Sequence, residues 1–142
     1  MTGCGPTPRG YIVPDSGGYV LKMIPGCDSV FSQVIVSYLS DANGQSYGPD
    51  DLKTVWCATF ADGAGVPEVR LFSSPANADS QLFVTDVDLT REVLVWWNEA
   101  DTVGGAVSGV LADIKPGNVL WYGGFEDAQE FARKAPGRPF GC

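Results

Sequence analysis

Four carboxylates near a tryptophan pair are the side chains best suited to chemistry. Asp86 and Asp88 stand two residues apart, so they share a face if they lie in a strand, and Glu99 and Asp101 follow Trp97. Two carboxylates beside aromatic rings could cleave a glycosidic bond, one as acid and the other as base or nucleophile. Turn formation is the competing explanation, because Asp and Asn bond their own backbone at loop ends. The sequence favours turns.

The chain contains no histidine, which removes whole classes of chemistry. Ser-His-Asp and Cys-His catalysis are excluded, as are metals bound through imidazole. No Cys-x-x-Cys pair and no phosphate-binding glycine loop followed by Lys and Ser or Thr occurs. We therefore expect no cofactor, no metal and no enzymatic activity, with a carboxylate-based hydrolase as the one enzymatic alternative.

The four cysteines are predicted to be free thiols. No secretion signal precedes them, and a reducing compartment keeps thiols unpaired. Cys57 lies in "TVWCATF", where we expect a small buried apolar residue. A bridge between Cys4 and Cys142 stays open, because the two ends of a domain often lie close together.

The acidic loop over residues 41–51 invites comparison with a calcium loop. An EF-hand places glycine at position 6, whereas Gly44 falls at position 4 from Asp41. The EF-hand is therefore rejected. A looser calcium site remains an alternative, with these candidate ligands: Asp41, Asn43, Asp50 and Asp51.

The elements that must position these residues are mostly short strands. The 142 residues include 18 glycines and 10 prolines, scattered between apolar runs. Such spacing favours a mainly β fold, an antiparallel sandwich or barrel of about eight short strands with one C-terminal helix. The predicted strands are 18–24, 29–39, 54–60, 68–72, 81–87, 92–97, 105–114 and 118–122.

One segment has helical periodicity. Residues 125–135 are predicted to form a helix that Pro136 ends, with acidic residues in its first turn and basic residues in its last. Its apolar face consists of Phe125, Ala128, Phe131, Ala132 and Ala135.

The chain is expected to form one domain with an extension at each end. Residues 1–17 contain three prolines and several glycines, which predicts an extended N-terminal arm. The β-rich domain spans residues 18–135, including the helix, and residues 136–142 form a tail.

Several strands carry apolar residues on both faces. In the run that begins at Glu92, one face holds Val93, Val95 and Trp97, and the other holds Leu94 and Trp96 beside polar residues. A strand with one solvated face should alternate more cleanly. The domain's own core covers one face, and the single helix reaches only part of a second.

The uncovered aromatic residues predict a contact with a protein partner or with copies of the chain. Burial within a strongly curled barrel and a ligand groove are the alternatives. Trp96, Trp56 and Tyr122 could form a sugar-stacking platform, as in a small-molecule or carbohydrate-binding module. The predicted interface residues are Trp96, Leu94, Trp56, Tyr122, Pro6, Pro8, Tyr11 and Phe140.

Charge and hydropathy limit the partners. The net charge of −8 repels phosphate backbones and anionic membranes, so neither nucleic acid nor membrane is expected. No apolar signal segment opens the chain, which predicts synthesis and retention in the cytoplasm, or incorporation into a particle.

These observations together predict a non-enzymatic assembly protein. Small β proteins of bacteriophage particles, such as capsid decoration, head–tail joining and tail proteins, have this general architecture.

Overall fold

Two antiparallel sheets of five strands each form the molecule. The computed structural model describes residues 9–24, 29–100 and 104–134. The strands are β1 Gly10–Asp15, β2 Gly18–Met23, β3 Phe31–Tyr38, β4 Lys53–Phe60, β5 Glu68–Arg70, β6 Ala78–Leu82, β7 Glu92–Glu99, β8 Gly105–Val110, β9 Asn118–Trp121 and β10 Gly124–Asp127. A 3-10 turn spans Leu111–Asp113, and one helix, α1, spans Ala128–Lys134.

The strand order places the main core between the sheets. The first sheet runs β10-β9-β1-β2-β5 and the second runs β6-β4-β3-β7-β8. Ile12 and Leu21 of the first sheet share one apolar cluster with Val34, Val95 and Trp97 of the second. The prediction of a mainly β fold, an antiparallel sandwich or barrel with one C-terminal helix, is confirmed as a sandwich, with ten strands where about eight were expected.

The structure corrects the predicted N-terminal arm. Residues 10–15 form β1, which lies between β2 and β9 at the centre of the first sheet. Pro14 is tolerated there because β9 pairs with β1 only at Ile12, so no neighbour on that side needs the missing N–H. Residues 1–8 and 135–142, with the predicted tail, lie outside the described residues.

The predicted helix starts too early. Residues 124–127 form β10, which pairs with β9, and Phe125 is 48% exposed in that strand. The helix begins at Ala128 because the Asp127 carboxylate accepts hydrogen bonds from the Gln129 and Glu130 amides, at 2.9 and 3.1 Å. Asp127 thus acts as the N-cap.

Helix α1 covers the part of the first sheet's outer face that β10, β9 and β1 form. Phe131 is buried there against Tyr11, with ring centroids 4.7 Å apart, and against Trp121 at 5.6 Å. Ile24 and Val119 complete this second, smaller core. Both faces of β1 are therefore packed within the chain, which explains why its sequence is apolar on both sides.

Candidate functional site

The neighbouring tryptophans of β7 point to opposite faces of the second sheet, as strand alternation requires. Trp97 is buried in the main core, where its ring meets Phe31 edge-to-face at 5.8 Å. Trp96 lies on the outer face and is half-buried. The core thus buries only one indole of this pair.

An apolar stripe crosses this outer face. The register pairs Ile35 of β3 with Trp96 on one side and with Cys57 on the other, and it pairs Trp96 with Ala106 of β8. Leu94 lies two residues along β7 on the same face. We call Ile35, Cys57, Leu94, Trp96 and Ala106 the outer stripe; all five are half-buried.

A row of uncharged polar side chains borders the outer stripe. Gln33 donates to the Thr59 hydroxyl at 3.2 Å and accepts from the Asn98 amide at 3.0 Å. These bonds link β4, β3 and β7 through their side chains. The centre of the face carries no charged side chain.

No described helix or strand packs across the outer stripe. Helix α1 contacts β9 and β10 of the first sheet, on the other side of the molecule. The charged residues of this face stand at its margins, namely Asp79 on the edge strand β6 and Glu92 at the start of β7. The outer stripe is thus the candidate site, an apolar surface that no described helix or strand covers.

Sequence reasoning found two members of the outer stripe and missed three. Trp96 and Leu94 were predicted as interface residues, whereas Ile35, Cys57 and Ala106 were not. The available signal was Ile35, an apolar residue on the polar face of an otherwise alternating strand. Cys57 was expected to be buried, but it is a free thiol that is half-buried on this face.

Trp56 is not a surface residue, contrary to the prediction. It is 1% exposed, and its Nε1 donates to the Ser73 carbonyl at 2.8 Å. A register shift leaves Val55 without a partner between the pairs that Val36 and Ser37 make with β4. Such a bulge reorients the strand, so that Val55 and Trp56 are both buried although they are neighbours.

Two further predicted interface residues, Tyr11 and Tyr122, belong to the first sheet and not to the outer stripe. Tyr122 is 65% exposed at the turn between β9 and β10 of the first sheet. Tyr11 packs on Phe131, and burial, assisted by the nearby charge of Glu68, raises the pKa of its hydroxyl. Pro6, Pro8 and Phe140 lie outside the described residues. The structure therefore does not bring Trp96, Trp56 and Tyr122 together as a sugar platform.

Two of the candidate catalytic carboxylates, Asp88 and Glu99, lie far apart in the structure. Asp88 precedes β7 and Glu99 ends it, which places them roughly 20 Å apart. Glycosidase carboxyl groups lie about 5–9.5 Å apart. Asp86 is exposed in the loop before β7, and Asp101 lies outside the described residues.

Asp88 stabilises a turn through its carboxylate. Its carboxylate accepts from the Thr90 hydroxyl and amide, at 2.5 and 3.0 Å, and these bonds lower the pKa of the carboxyl group. Asp41 likewise accepts from the Asn43 and Gln45 amides, at 2.8 and 2.9 Å. Both fit the turn explanation for acidic loop residues.

Glu99 points inward and joins the two sheets. Its carboxylate accepts from the guanidinium of Arg9, the residue before β1, and from the Trp97 Nε1, at 3.2 Å. The Glu99 side chain is 2% exposed, and each of its carboxylate oxygens has a hydrogen-bond partner within the chain. Its visible role is structural.

Among residues 9–24, 29–100 and 104–134, no three acidic, cysteine or histidine side chains gather in a metal-binding arrangement. Within the same ranges, no helix is long and apolar enough to cross a membrane. Comparison with protein-family models, with curated proteins and with solved structures finds no match for this chain.

Proposed function

We propose that this protein is a non-enzymatic structural protein that docks through the outer stripe on copies of itself or on a protein partner. A place in a bacteriophage particle, as a capsid decoration, head–tail joining or tail protein, fits a small acidic β sandwich of this kind.

The asymmetric covering of the two sheets carries the proposal. Helix α1 packs on the outer face of the first sheet, where Phe131 contacts Tyr11 and Trp121. The equivalent face of the second sheet presents Trp96 and Leu94 without a covering element among the described residues. Aromatic residues in an uncharged centre are what interface cores contain.

Side-chain order also supports a contact role. A docking surface gains affinity when its side chains are fixed before the partner arrives, because less conformational entropy is then lost. The hydrogen-bonded row of Thr59, Gln33 and Asn98 fixes the polar border of the outer stripe in this way.

The test compares Trp96→Ser with Trp97→Ser in the full chain. We expect the wild type to show a concentration-dependent mass in sedimentation equilibrium and Trp96→Ser to weaken that association. The melting temperature of Trp96→Ser should stay close to that of the wild type. Trp97→Ser should instead cost about 3–5 kcal/mol of stability, as loss of a core aromatic does.

Two results would contradict the proposal. One is a wild type that stays monomeric at every concentration, with a tryptophan fluorescence that responds to a sugar or other small ligand. The other is a Trp96→Ser variant that unfolds as readily as Trp97→Ser, because Trp96 would then belong to the chain's own core.

A further inference from the structure

The second sheet ends in two edge strands, β6 and β8, and only β8 lacks the features that keep edges apart. Proteins protect edges with charged residues, proline or very short strands. Strand β6 carries Asp79, β5 has three residues including Glu68 and Arg70, and β10 carries Glu126 and Asp127. Strand β8, Gly-Ala-Val-Ser-Gly-Val, has no charge and no proline over six residues.

The backbone groups of β8 that point to this edge can be assigned. The Leu39 amide donates to the Glu92 carbonyl at 2.8 Å, so Glu92 directs its backbone groups toward β3. Neighbouring residues of an antiparallel strand alternate, so Val93 directs its groups toward β8. The register then turns Ala106 and Ser108 of β8 away from β7, toward the open edge. Neither forms a backbone hydrogen bond with another described residue.

We propose that the β8 edge pairs antiparallel with the β8 edge of a second copy of this chain. This inference rests on the proposed function and names its partner. A two-fold axis at Val107 would pair Ala106 of each copy with Ser108 of the other, giving about four backbone hydrogen bonds. The two second sheets would then form one continuous sheet of ten strands.

The absence of charged residues along β8 favours a second copy over a basic protein as the partner. The chain carries a net charge of −8, so two copies repel wherever their charged surfaces meet. Strand β8 and the outer stripe beside it are uncharged, which makes them the place where two copies approach at least cost. A basic partner would find no carboxylate along β8 to pair with.

The surroundings of β8 suit such a contact. Ala106 is the end of the outer stripe, so edge pairing would join the stripes of the two copies into one. Phe125, 48% exposed, comes within 3.6 Å of the position that a Cβ on Gly109 would take, which sets an apolar ring beside the edge. An edge of six residues is small for a stable interface, so we expect a dimer that dissociates on dilution.

The experiment is Ser108→Pro, followed by sedimentation velocity over a concentration series. Proline removes the outward N–H without touching a bond to β7, so the fold should persist while dimerisation weakens about tenfold or more. Ser80→Pro is the matched control on the opposite edge. There, the Phe83 amide donates to the Val55 carbonyl, and alternation turns the backbone of Ser80 outward as well. Ser80→Pro should dimerise like the wild type.

Hydrogen exchange of the unaltered chain gives a second readout that needs no variant. The Ala106 and Ser108 amides should become protected as concentration rises, while the outward amide of Ser80 should not. The edge inference is overturned if Ser108→Pro dimerises like the wild type, if Ser80→Pro weakens association equally, or if protection at Ala106 and Ser108 is independent of concentration.

The failures can be told apart. Association that Trp96→Ser weakens and Ser108→Pro leaves intact overturns edge pairing and retains docking through the outer stripe. A wild type that is monomeric at all concentrations overturns both.

Discussion

At the scale of residues, the adjacent side chains of Trp96 and Trp97 lie on opposite faces of β7. Trp97 fills the core and donates its indole N–H to Glu99, while Trp96 remains half-buried on the outer face. The Arg9–Glu99 ion pair completes this arrangement by joining the start of β1 to the end of β7. Buried ion pairs contribute little net stability when intact, but removing one partner leaves the other charge buried and uncompensated.

Glu99→Gln should lower the free energy of unfolding by about 3–5 kcal/mol, because Arg9 then loses its charged partner in a mostly buried site. Arg9→Met should cost a similar amount, and the double variant should cost clearly less than the sum of the two. Urea denaturation of all four proteins measures this. Additive costs would mean that the two side chains act independently.

At the scale of elements, α1 depends on a single anchor. Seven residues are too few for an isolated helix to be stable in water, so packing against the sheet must stabilise α1. Phe131 supplies that packing against Tyr11 and Trp121. Asp127 fixes the first turn from the end of β10, so strand and helix share one boundary residue.

Phe131→Ala should therefore release α1 without unfolding the sandwich. We expect the amides of α1 to lose most of their protection in hydrogen exchange, while those of β3 and β7 keep theirs. Trp121 emission should shift to longer wavelength as its covering ring is lost. Gln129→Ala, an exposed position of the same helix, is the control and should change neither signal. Uniform loss of protection across both sheets would show instead that the helix is part of the global folding unit.

At the scale of the whole molecule, an acidic protein carries an uncharged apolar stripe on the outer face of its second sheet. The charged residues of the second sheet's outer face lie at its margins, and the uncharged outer stripe runs through its centre to the β8 edge. Contact between copies of a chain with net charge −8 works against their mutual repulsion. Salt screens that repulsion over a Debye length of about 10 Å at 0.1 M.

Raising the sodium chloride concentration from about 20 mM to about 500 mM should therefore strengthen self-association several-fold. Light scattering across a salt series at fixed protein concentration measures the effect. Trp96→Ser serves as the baseline for contacts that do not use the outer stripe. Association that weakens with salt would point to attraction between opposite charges, and so to a contact elsewhere on the surface.

Local pattern determined much of this fold. Alternation with a period of two placed Val93, Val95 and Trp97 inside and Trp96 outside, and turn residues marked most strand ends, because both depend only on neighbours along the chain. Composition was read from the sequence alone in the same way: the absence of histidine argued against imidazole-based catalysis, and the negative net charge argued against nucleic acid and membranes as partners.

Tertiary pairing decided the rest. The bulge beside which both Val55 and Trp56 are buried is a feature of the register between β4 and β3. Residues 124–127 have a helical pattern but pair with β9 instead, and Pro14 joins a strand because β9 ends its pairing at Ile12. Register, bulges and coverage depend on partners far away in the chain, whose positions a local pattern does not contain.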